Sequence, residues 1–350
     1  MEAKCIKFYE FGSPQSVLKV ESKNIQRPAN GEILVRMKVR PINPSDLLPI
    51  RGVYSHRIPL PSIPGYEGVG IVEEVGPSVS QELIGKRVLP LRGEGTWQEY
   101  VRTSAELAVP IPRSIEDYIA AQLYINPITA WLTCTEVLAL KPDDVLIVNA
   151  CGSSIGRIFT QLSKILGFQL IAVTRNNKYT EELLKLGASY VINTSDRSLH
   201  NTVMELTNGR GANAAIDSVG GTDGSELAFC VQSNGMLLTI GLLSGKPVNW
   251  AEISNRTKVN VKMFHLRHWN QQVSVQTWQE TFNLLINFIN DKRLRFMMPD
   301  SHYDLQEVQE AIRVTESPMS NRGKIFFIQL ATNFSSSTIN QAVFNNEIVF

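Results

Sequence analysis

The sequence predicts an α/β protein that combines a doubly wound parallel sheet with a second, mainly β region. From about residue 114 onward, short apolar runs of strand length alternate with amphipathic stretches of helical spacing. The residues before that point contain short β-rich runs broken by Gly and Pro pairs. A length of 350 residues, 43% of them hydrophobic, also suits two domains with a large core.

The first 113 residues are predicted to be irregular and mainly β. A strand is expected at residues 33–39, where β-branched and long apolar residues dominate. Turns are expected at three pairs, Asn43-Pro44, Pro64-Gly65 and Gly76-Pro77. The first helix is expected to begin at Ser114, because Ser-Ile-Glu-Asp resembles an N-cap with an acid three residues later.

Parallel strands are predicted next, because several continuous apolar runs are each followed by a helical stretch. The predicted strands are residues 145–149, 169–174, 190–192, 214–217 and 236–240. A helix that ends at residue 166 follows the first strand, and a helix at 178–186 follows the second. Further along, we expect helices at 276–290 and 305–315, and a strand at 325–328 that returns the chain to the first domain. Residues 331–350 are polar and carry one charge, so they are predicted to be a tail.

The composition argues against several classes of function. Lys and Arg number 34 and Asp and Glu 33, so a formal charge of +1 gives no overall attraction to nucleic acid or to an anionic membrane. No stretch reaches the ~18 apolar residues of a membrane span. The four cysteines are far apart, and charges in the first eight residues argue against a secretory signal. We therefore expect a cytoplasmic protein that acts on a small molecule.

A loop between the first predicted parallel strand and its helix has the features of a phosphate site. Residues 150–156 follow the pattern A-x-x-S-x-x-G, and the next helix has apolar residues at spacings of three and four. Small residues such as Gly152, Ser153 and Ser154 let backbone N–H groups approach a pyrophosphate at the positive end of a helix. A Gly/Ser turn between a strand and a helix is also common without any ligand, so the loop alone leaves both interpretations open.

The residue type after the second parallel strand indicates which dinucleotide is bound. Arg175 and Lys178 lie about twenty residues beyond the loop, where an NAD enzyme places an acid for the ribose 2′-hydroxyl. A cation there pairs instead with a 2′-phosphate through charge-assisted hydrogen bonds. The prediction is therefore NADPH, and the alternative is that Arg175 is a solvated surface residue.

Taken together, motifs over residues 3–330 resemble the medium-chain dehydrogenases/reductases, most closely the mitochondrial-type 2-enoyl thioester reductases beside the quinone oxidoreductases. The motifs are 41–46 (PINPSD), 50–54 (IRGVY), 64–68 (PGYEG), 95–98 (GTWQ), Asn126-Pro127, the loop at 150–156, 217–221 (DSVGG) and Ile240-Gly241. The resemblance implies a mainly β, GroES-like catalytic domain at 1–122 and 265–350, a doubly wound parallel-sheet Rossmann domain at 123–264, and a homodimer.

The resemblance also implies roles for individual residues. Tyr54 is expected to face the nicotinamide and the substrate as the catalytic residue. Cofactor contacts are expected from Asn126, Gly152, Ser153, Ser154, Ile155, Arg175, Ile240, Gly241, Phe264, His265, Leu266 and Lys324. Two positions depart from the family pattern: Asn177 stands where a second Arg is usual, so that Lys178 is a candidate substitute, and His265 replaces a Trp of the substrate pocket.

The zinc alcohol dehydrogenases of the same superfamily need a Cys and a His-Glu pair at the catalytic metal, because zinc binds thiolate and imidazole. The corresponding stretches here are 43–46 (NPSD) and 65–68 (GYEG), which supply neither ligand. No metal site is therefore expected, and Glu67 is predicted to be structural. The histidines also lack ligand spacing, apart from the close pair His265 and His268.

The predicted chemistry is delivery of hydride from NADPH to an activated C=C bond, as in a 2-enoyl thioester or an enone, without zinc. Hydride addition builds enolate charge, which the phenol of Tyr54 is suited to stabilise or protonate. The alternative for Tyr54 is a packing role at a domain cleft. Two alternative functions also remain, an NADPH-dependent quinone reductase and a protein that binds NADPH without turnover.

Overall fold

The computed structural model describes residues 2–317 and 323–329. Over these residues the strands form a two-stranded sheet, a seven-stranded mixed sheet and a six-stranded parallel sheet. The predicted tail at 331–350 lies outside the described residues. Both predicted fold elements, the parallel doubly wound sheet and the separate mainly β part, are confirmed.

The strands are two to ten residues long, close to the usual range for globular proteins. In chain order they are β1 (Glu2–Lys7), β2 (Lys19–Asn24), β3 (Glu32–Pro41), β4 (Val69–Val75), β5 (Arg87–Leu89), β6 (Tyr100–Ser104), β7 (Val109–Pro110), β8 (Val145–Val148), β9 (Gln169–Thr174), β10 (Tyr190–Asn193), β11 (Ala212–Asp217), β12 (Val231–Thr239), β13 (Asn260–Met263), β14 (Pro299–Tyr303) and β15 (Lys324–Ile328).

The helices are distributed along the whole described chain, and five of them connect strands of the parallel sheet. They are α1 (Pro14–Val17), α2 (Pro44–Ile50), α3 (Asp117–Ala120), α4 (Ile125–Leu132), α5 (Ser154–Leu166), α6 (Thr180–Leu186), α7 (Leu199–Leu206), α8 (Gly221–Phe229), α9 (Trp250–Arg256), α10 (Leu266–Gln272), α11 (Val275–Asn290) and α12 (Val308–Glu316). A π-helical segment, Thr133–Val137, continues α4, and short 3-10 turns include Ser55–Arg57 and Leu305–Glu307.

The parallel sheet has the strand order β10-β9-β8-β11-β12-β13. The chain therefore runs outward from β8 in one direction and then returns to add β11 on the other side. The carboxyl ends of β8 and β11 meet at this reversal, which is where doubly wound sheets bind ligands. The edge strand β13 was not predicted from the sequence, because it is short and three of its four residues are exposed or nearly so.

The mixed sheet has the order β14-β15-β3-β4-β5-β7, with β6 also paired to β3. β15 pairs antiparallel with β3, so the end of the described chain does return to the first part, as predicted. One buried cluster joins the two parts, since Val39 and Phe326 of the mixed sheet share it with Phe159 of α5 and Phe282 of α11.

Two local predictions for the first region are wrong. The Asn43-Pro44 pair begins helix α2 instead of a turn, because a proline at the first helical position has no intrahelical N–H to lose. Ser114 does not cap a helix: α3 begins at Asp117, and the Ser114 hydroxyl donates to Asn290 Oδ1 at 3.1 Å. Ile115 is buried, which holds this segment in the core before the helix begins.

Among residues 2–317 and 323–329, no helix has the length and apolar content needed to span a bilayer.

Candidate active site

The predicted phosphate loop is a tight connection between β8 and α5. Ala150 adopts a positive φ of 50°, and Ser153 then caps α5 by accepting a hydrogen bond from the Gly156 N–H at 3.3 Å. The positive end of a 13-residue helix therefore lies directly behind Ser153 and Ser154. This is the arrangement that binds phosphate through backbone N–H groups.

Two glycines of the loop are required by packing. A Cβ on Gly156 would lie 2.4 Å from the Cα of Cys151, so α5 could not approach β8 as closely. A Cβ on Gly152 would lie 2.6 Å from the ring of Tyr179. The guanidinium of Arg157 lies 5.0 Å from the centre of the same ring, and Arg157 also pairs with Glu182. The loop is thus held against α6 as well as against its own helix.

A buried Asn–Asp pair joins β8 and β11 at the strand reversal. Asn149 donates to Asp217 Oδ1 at 2.7 Å, and the same carboxylate accepts from the Val219 and Gly220 N–H groups. Beyond this pair, a Cβ on Gly241 would lie 2.9 Å from the Ser218 carbonyl oxygen. The carboxyl edge of the sheet is therefore rigid and closely packed around Ile240 and Gly241.

Two hydroxyl groups at this edge are buried without a hydrogen-bond partner among the described residues. They belong to Ser218, after β11, and Thr239, at the end of β12. An unsatisfied buried hydroxyl costs about 1–3 kcal/mol, so such groups commonly face a ligand or water. These hydroxyls and the glycine-lined edge fit a polar cofactor.

The cations expected to select the dinucleotide are exposed. Arg175 makes no salt bridge with any described residue, and its carbonyl oxygen accepts from the Ser195 hydroxyl at 2.7 Å. Lys178 lies 5.0 Å from the centre of the Tyr179 ring. Asn177, where the family has a second Arg, instead donates to Asp196 at 3.1 Å. Contact of Arg175 or Lys178 with a 2′-phosphate stays a prediction.

Tyr54 lies where the mainly β part meets the carboxyl edge of the parallel sheet. It is half-buried, at the start of the turn Ser55–Arg57, and its ring contacts His265 edge to face with 6.2 Å between ring centres. The guanidinium of Arg57 stacks over the Tyr54 ring at 4.0 Å. Since His265 follows β13 by two residues, the contact joins the two parts at the carboxyl edge of the parallel sheet, where we expect the cleft for cofactor and substrate.

A buried polar network lies behind this cleft. Asn43 donates to Glu67 Oε1 at 2.8 Å, while Glu67 Oε2 accepts from the Tyr124 and Ile125 N–H groups at 3.1 and 2.8 Å. The ammonium group of Lys324 donates to Asn43 Oδ1, which also accepts from Asn126 at 3.4 Å. Glu67 thus caps helix α4, and Asn43 links that cap to Lys324 and Asn126.

Asp46 adds a second carboxylate, which accepts from the Asn43 N–H at 2.7 Å and from the Tyr66 N–H at 3.1 Å. Burial raises the pKa of Asp46 to about 7 and also raises the pKa of Glu67. Burial lowers the pKa of Lys324, and the charges of Glu67 and Asp46 oppose that shift. The ammonium group is therefore the counter-charge of two buried acids.

Ten of the fourteen predicted site residues fall into three groups, while Arg175 and Lys178 follow β9, and Ile240 and Gly241 follow β12. Tyr54 lies against His265, beside Phe264 and Leu266, and the loop residues Gly152, Ser153, Ser154 and Ile155 surround the start of α5. Asn126 and Lys324 share one acceptor inside the buried network, so their contribution to cofactor binding stays a prediction.

Three residues of the site were not predicted as site residues: Asn43 of the buried network, Asp217 at the strand reversal, and Arg57 over the Tyr54 ring. Asn43 and Asp46 have the spacing of a helix cap, and this signal was available in the sequence.

The comparisons with known proteins agree with this architecture. Residues 29–113 match the alcohol dehydrogenase GroES-like domain and residues 154–290 match the zinc-binding dehydrogenase family. The mitochondrial enoyl-[acyl-carrier-protein] reductase of Xenopus tropicalis is 30% identical over 340 residues, which cover 94% of this chain and 96% of that protein. The chain belongs to the medium-chain dehydrogenase/reductase family.

Solved structures of this family superimpose over nearly the whole chain. A candidate NADPH:quinone reductase from Bacillus thuringiensis has 63% identity and a TM-score of 0.92, covering 94% of this chain and all (100%) of that one. The Escherichia coli quinone oxidoreductase, solved with NADPH, has 26% identity and a TM-score of 0.83, covering 93% of this chain and 100% of that one. The predicted family is confirmed.

One matched family is named for zinc, and the residues here do not fit that metal. Zinc in catalytic sites takes thiolate, imidazole or carboxylate ligands in an open tetrahedron. At the corresponding positions this chain has an amide, Asn43, and a carboxylate, Glu67, that is already hydrogen-bonded to Asn43 and to α4. The cation facing them is the Lys324 ammonium. Within the described part of the chain, no group of three His, Cys, Asp or Glu residues is arranged as a metal site.

The Lys324→Met variant should be strongly destabilised at about pH 8, by roughly 3–5 kcal/mol, because Asp46 and Glu67 lose their counter-charge. The loss should be smaller at about pH 5.5. Folding raises the pKa of both acids, so they bind protons more tightly in the folded than in the unfolded chain. Their protonated forms therefore favour the folded state at low pH, and the variant loses stability as the pH rises through the folded pKa values.

Denaturant unfolding at both pH values measures the effect, with the exposed Lys185→Met as control. A loss below about 0.5 kcal/mol at both pH values, the range of ordinary surface substitutions, would show that Lys324 is not the counter-charge.

Proposed function

We propose that this protein is an NADPH-dependent oxidoreductase that delivers hydride to an activated C=C bond, as in a 2-enoyl thioester or an enone, without zinc. The observation that carries the proposal is the contact between Tyr54 and His265. It places a phenol from the mainly β part against the carboxyl edge of the parallel sheet, where this fold class binds dinucleotides. The mitochondrial enoyl reductase relatives and the NADPH-bound quinone oxidoreductase support it.

The residues present fit NADPH. The capped start of α5 and the small residues Gly152, Ser153 and Ser154 suit a pyrophosphate, and the exposed Arg175 suits a 2′-phosphate. The unpartnered hydroxyls of Ser218 and Thr239 supply further polar groups along the same edge.

When bound, NADPH supplies the hydride for the reaction. The part of the protein is to orient the acceptor and to stabilise the negative charge that develops on its carbonyl oxygen. The phenol of Tyr54 donates a hydrogen bond to that oxygen, or a proton to the oxygen or to the α-carbon of the enolate. The buried network of Glu67, Asn43 and Lys324 keeps α4, and with it Asn126, in a fixed position beside the cleft.

A quinone is the second candidate acceptor. The neighbour with 63% identity is a candidate NADPH:quinone reductase, and this observation favours quinones specifically. Quinone reduction needs less help from Tyr54, because the reduced oxygens take protons directly from water.

The proposal includes a cytoplasmic homodimer. Four buried free cysteines, Cys5, Cys134, Cys151 and Cys230, suit a reducing compartment. The edge strand β13, with Met263 57% exposed, offers backbone groups to a second copy of the chain.

Replacing Arg175 by Ala should weaken NADPH binding about ten- to hundredfold and leave NADH binding unchanged. The reason is the loss of a charge-assisted contact with the 2′-phosphate, worth about 1.5–3 kcal/mol. Dissociation constants for both nucleotides, measured by nicotinamide fluorescence, test the assignment. Arg210→Ala, which changes an exposed arginine just before β11, at the opposite edge of the parallel sheet, is the control. Equal NADPH affinities in wild type and Arg175→Ala would contradict it.

Replacing Tyr54 by Phe should lower kcat for enones and enoyl thioesters by about tenfold to a hundredfold, since one donor is lost while the ring is kept. NADPH affinity and the melting temperature should not change, and quinone reduction should fall less. Steady-state rates with both acceptor classes and thermal unfolding give the answer, with the exposed Tyr190→Phe as control. A lower melting temperature with normal activity per folded molecule would instead make Tyr54 a packing residue.

A further inference from the structure

Four cationic or titratable side chains form a series of contacts that begins at Tyr54, and we call them the cationic cluster: Arg57, His265, Arg267 and His268. Arg57 lies 4.0 Å over the Tyr54 ring, and His265 meets the ring edge at 6.2 Å between ring centres. The rings of His265 and His268 are 5.6 Å apart, and Arg267 Nη2 lies 3.4 Å from His268 Nε2. The turn Ser55–Arg57 and the start of α10 thus bring one sign of charge to the same side of the cleft.

The cluster is not paired with acidic side chains among the described residues. Neither Arg57 nor Arg267 forms a salt bridge there, although Arg51 pairs with Glu316 and Arg157 with Glu182. Burial lowers the pKa of His265, and the charges of its three cluster neighbours lower it further. With no acid paired to them, the guanidinium groups of Arg57 and Arg267 keep their positive charge available to an anion from solution.

One atom of the cluster is buried and unpartnered. Arg57 Nε has no hydrogen-bond partner among the described residues, although solvent does not reach it. A buried charged donor without an acceptor is more costly than a neutral one. One donor of the Arg57 guanidinium, which lies over the Tyr54 ring, thus lacks an acceptor among the described residues.

We propose that the acceptor carries an anionic group close to its reacting carbon, and that Arg57, with His265 and His268, binds this group. The proposal rests on the proposed function and narrows its substrate class to enones or activated alkenes that bear a carboxylate or a similar anion. Arginine suits this role because its planar fork binds a carboxylate through two parallel hydrogen bonds. The net charge of the whole chain, +1, does not attract anions, so a preference for an anionic substrate would come from the local charge of this cluster.

The position of Arg57 favours an anion on the reacting molecule itself. Its guanidinium is stacked on the ring of the proposed proton donor, so an anion bound to Arg57 lies next to the reacting atoms. A phosphate of a long thioester carrier is separated from the reacting carbon by many bonds. We therefore commit to a carboxylate of the substrate, and the experiment includes carrier phosphates as the other source.

The test uses two enones that differ by one charge, trans-4-oxo-2-pentenoate and its methyl ester. The quantity measured is the quotient of kcat/KM for the acid over kcat/KM for the ester, so any general effect of a variant on turnover cancels. Arg57→Gln should lower this quotient about tenfold or more, as expected for the loss of one charge-assisted contact. Arg57→Lys should lower it less, because it keeps the charge.

Arg293→Gln is the matched control, since this exposed arginine also stacks on an aromatic ring, Phe288 at 4.9 Å, away from Tyr54. Its quotient should equal that of the wild type. A second pair of substrates, crotonyl-coenzyme A and the neutral crotonyl thioester of N-acetylcysteamine, tests for binding of carrier phosphates. The second quotient is kcat/KM for the coenzyme A thioester over kcat/KM for the neutral thioester. If only the second quotient falls in Arg57→Gln, or if neither falls, the proposal is overturned.

Binding without turnover separates this proposal from the proposed function. Calorimetry with the saturated analogues 4-oxopentanoate and methyl 4-oxopentanoate should show tighter binding of the acid by the wild type, and loss of that preference in Arg57→Gln. If no acceptor is reduced but the acid still binds through Arg57, the proposed function fails and the anion site stands. If acceptors are reduced and the acid binds no better than the ester, the anion site fails and the proposed function stands.

Discussion

The buried carboxylate of Glu67 is the interaction on which the site depends. One of its oxygens accepts from Asn43, and the other accepts two N–H groups at the start of α4, where the helix dipole favours a negative charge. A buried carboxylate is costly unless hydrogen bonds and a counter-charge compensate it, and here Lys324 supplies the charge through Asn43. Removing any of these partners leaves a charged or polar group unsatisfied in the core, so the whole set is maintained together.

This network determines where the two parts of the molecule meet. Asn43 begins α2, Lys324 begins β15, and Glu67 leads into β4, so three elements of the mainly β part converge on the first turn of α4. The opposite face of the cleft is equally rigid, because Asn149 and Asp217 lock the ends of β8 and β11. The cleft therefore has two fixed walls. The more exposed groups between them, Tyr54 and His265, are the ones free to meet a substrate.

Much of the fold was predictable from local patterns. The strand at 169–174 and the helix at 276–290 were placed within a residue, because continuous apolar runs and helical spacing are local signals. The edge strand β13 lacks such a signal, since an edge strand buries little. Helix α2 was missed because Asn-Pro serves both as a turn and as a helix start. In the site, Tyr54 and Arg175 could be named by resemblance. The cationic cluster and the role of Lys324 as a counter-charge depend on contacts across more than 200 residues, which no spacing along the chain reveals.

In the reaction that we propose, hydride passes from NADPH to the β-carbon of an activated alkene, in a cleft closed by Tyr54 and His265. The most direct measurement uses NADPH with deuterium in the transferable position, an enone or 2-enoyl thioester, and NMR of the product. We expect one deuterium at the β-carbon for each NADPH oxidised, and a solvent-derived proton at the α-carbon. Folded protein that binds NADPH but yields no β-deuterated product with any activated alkene would contradict it.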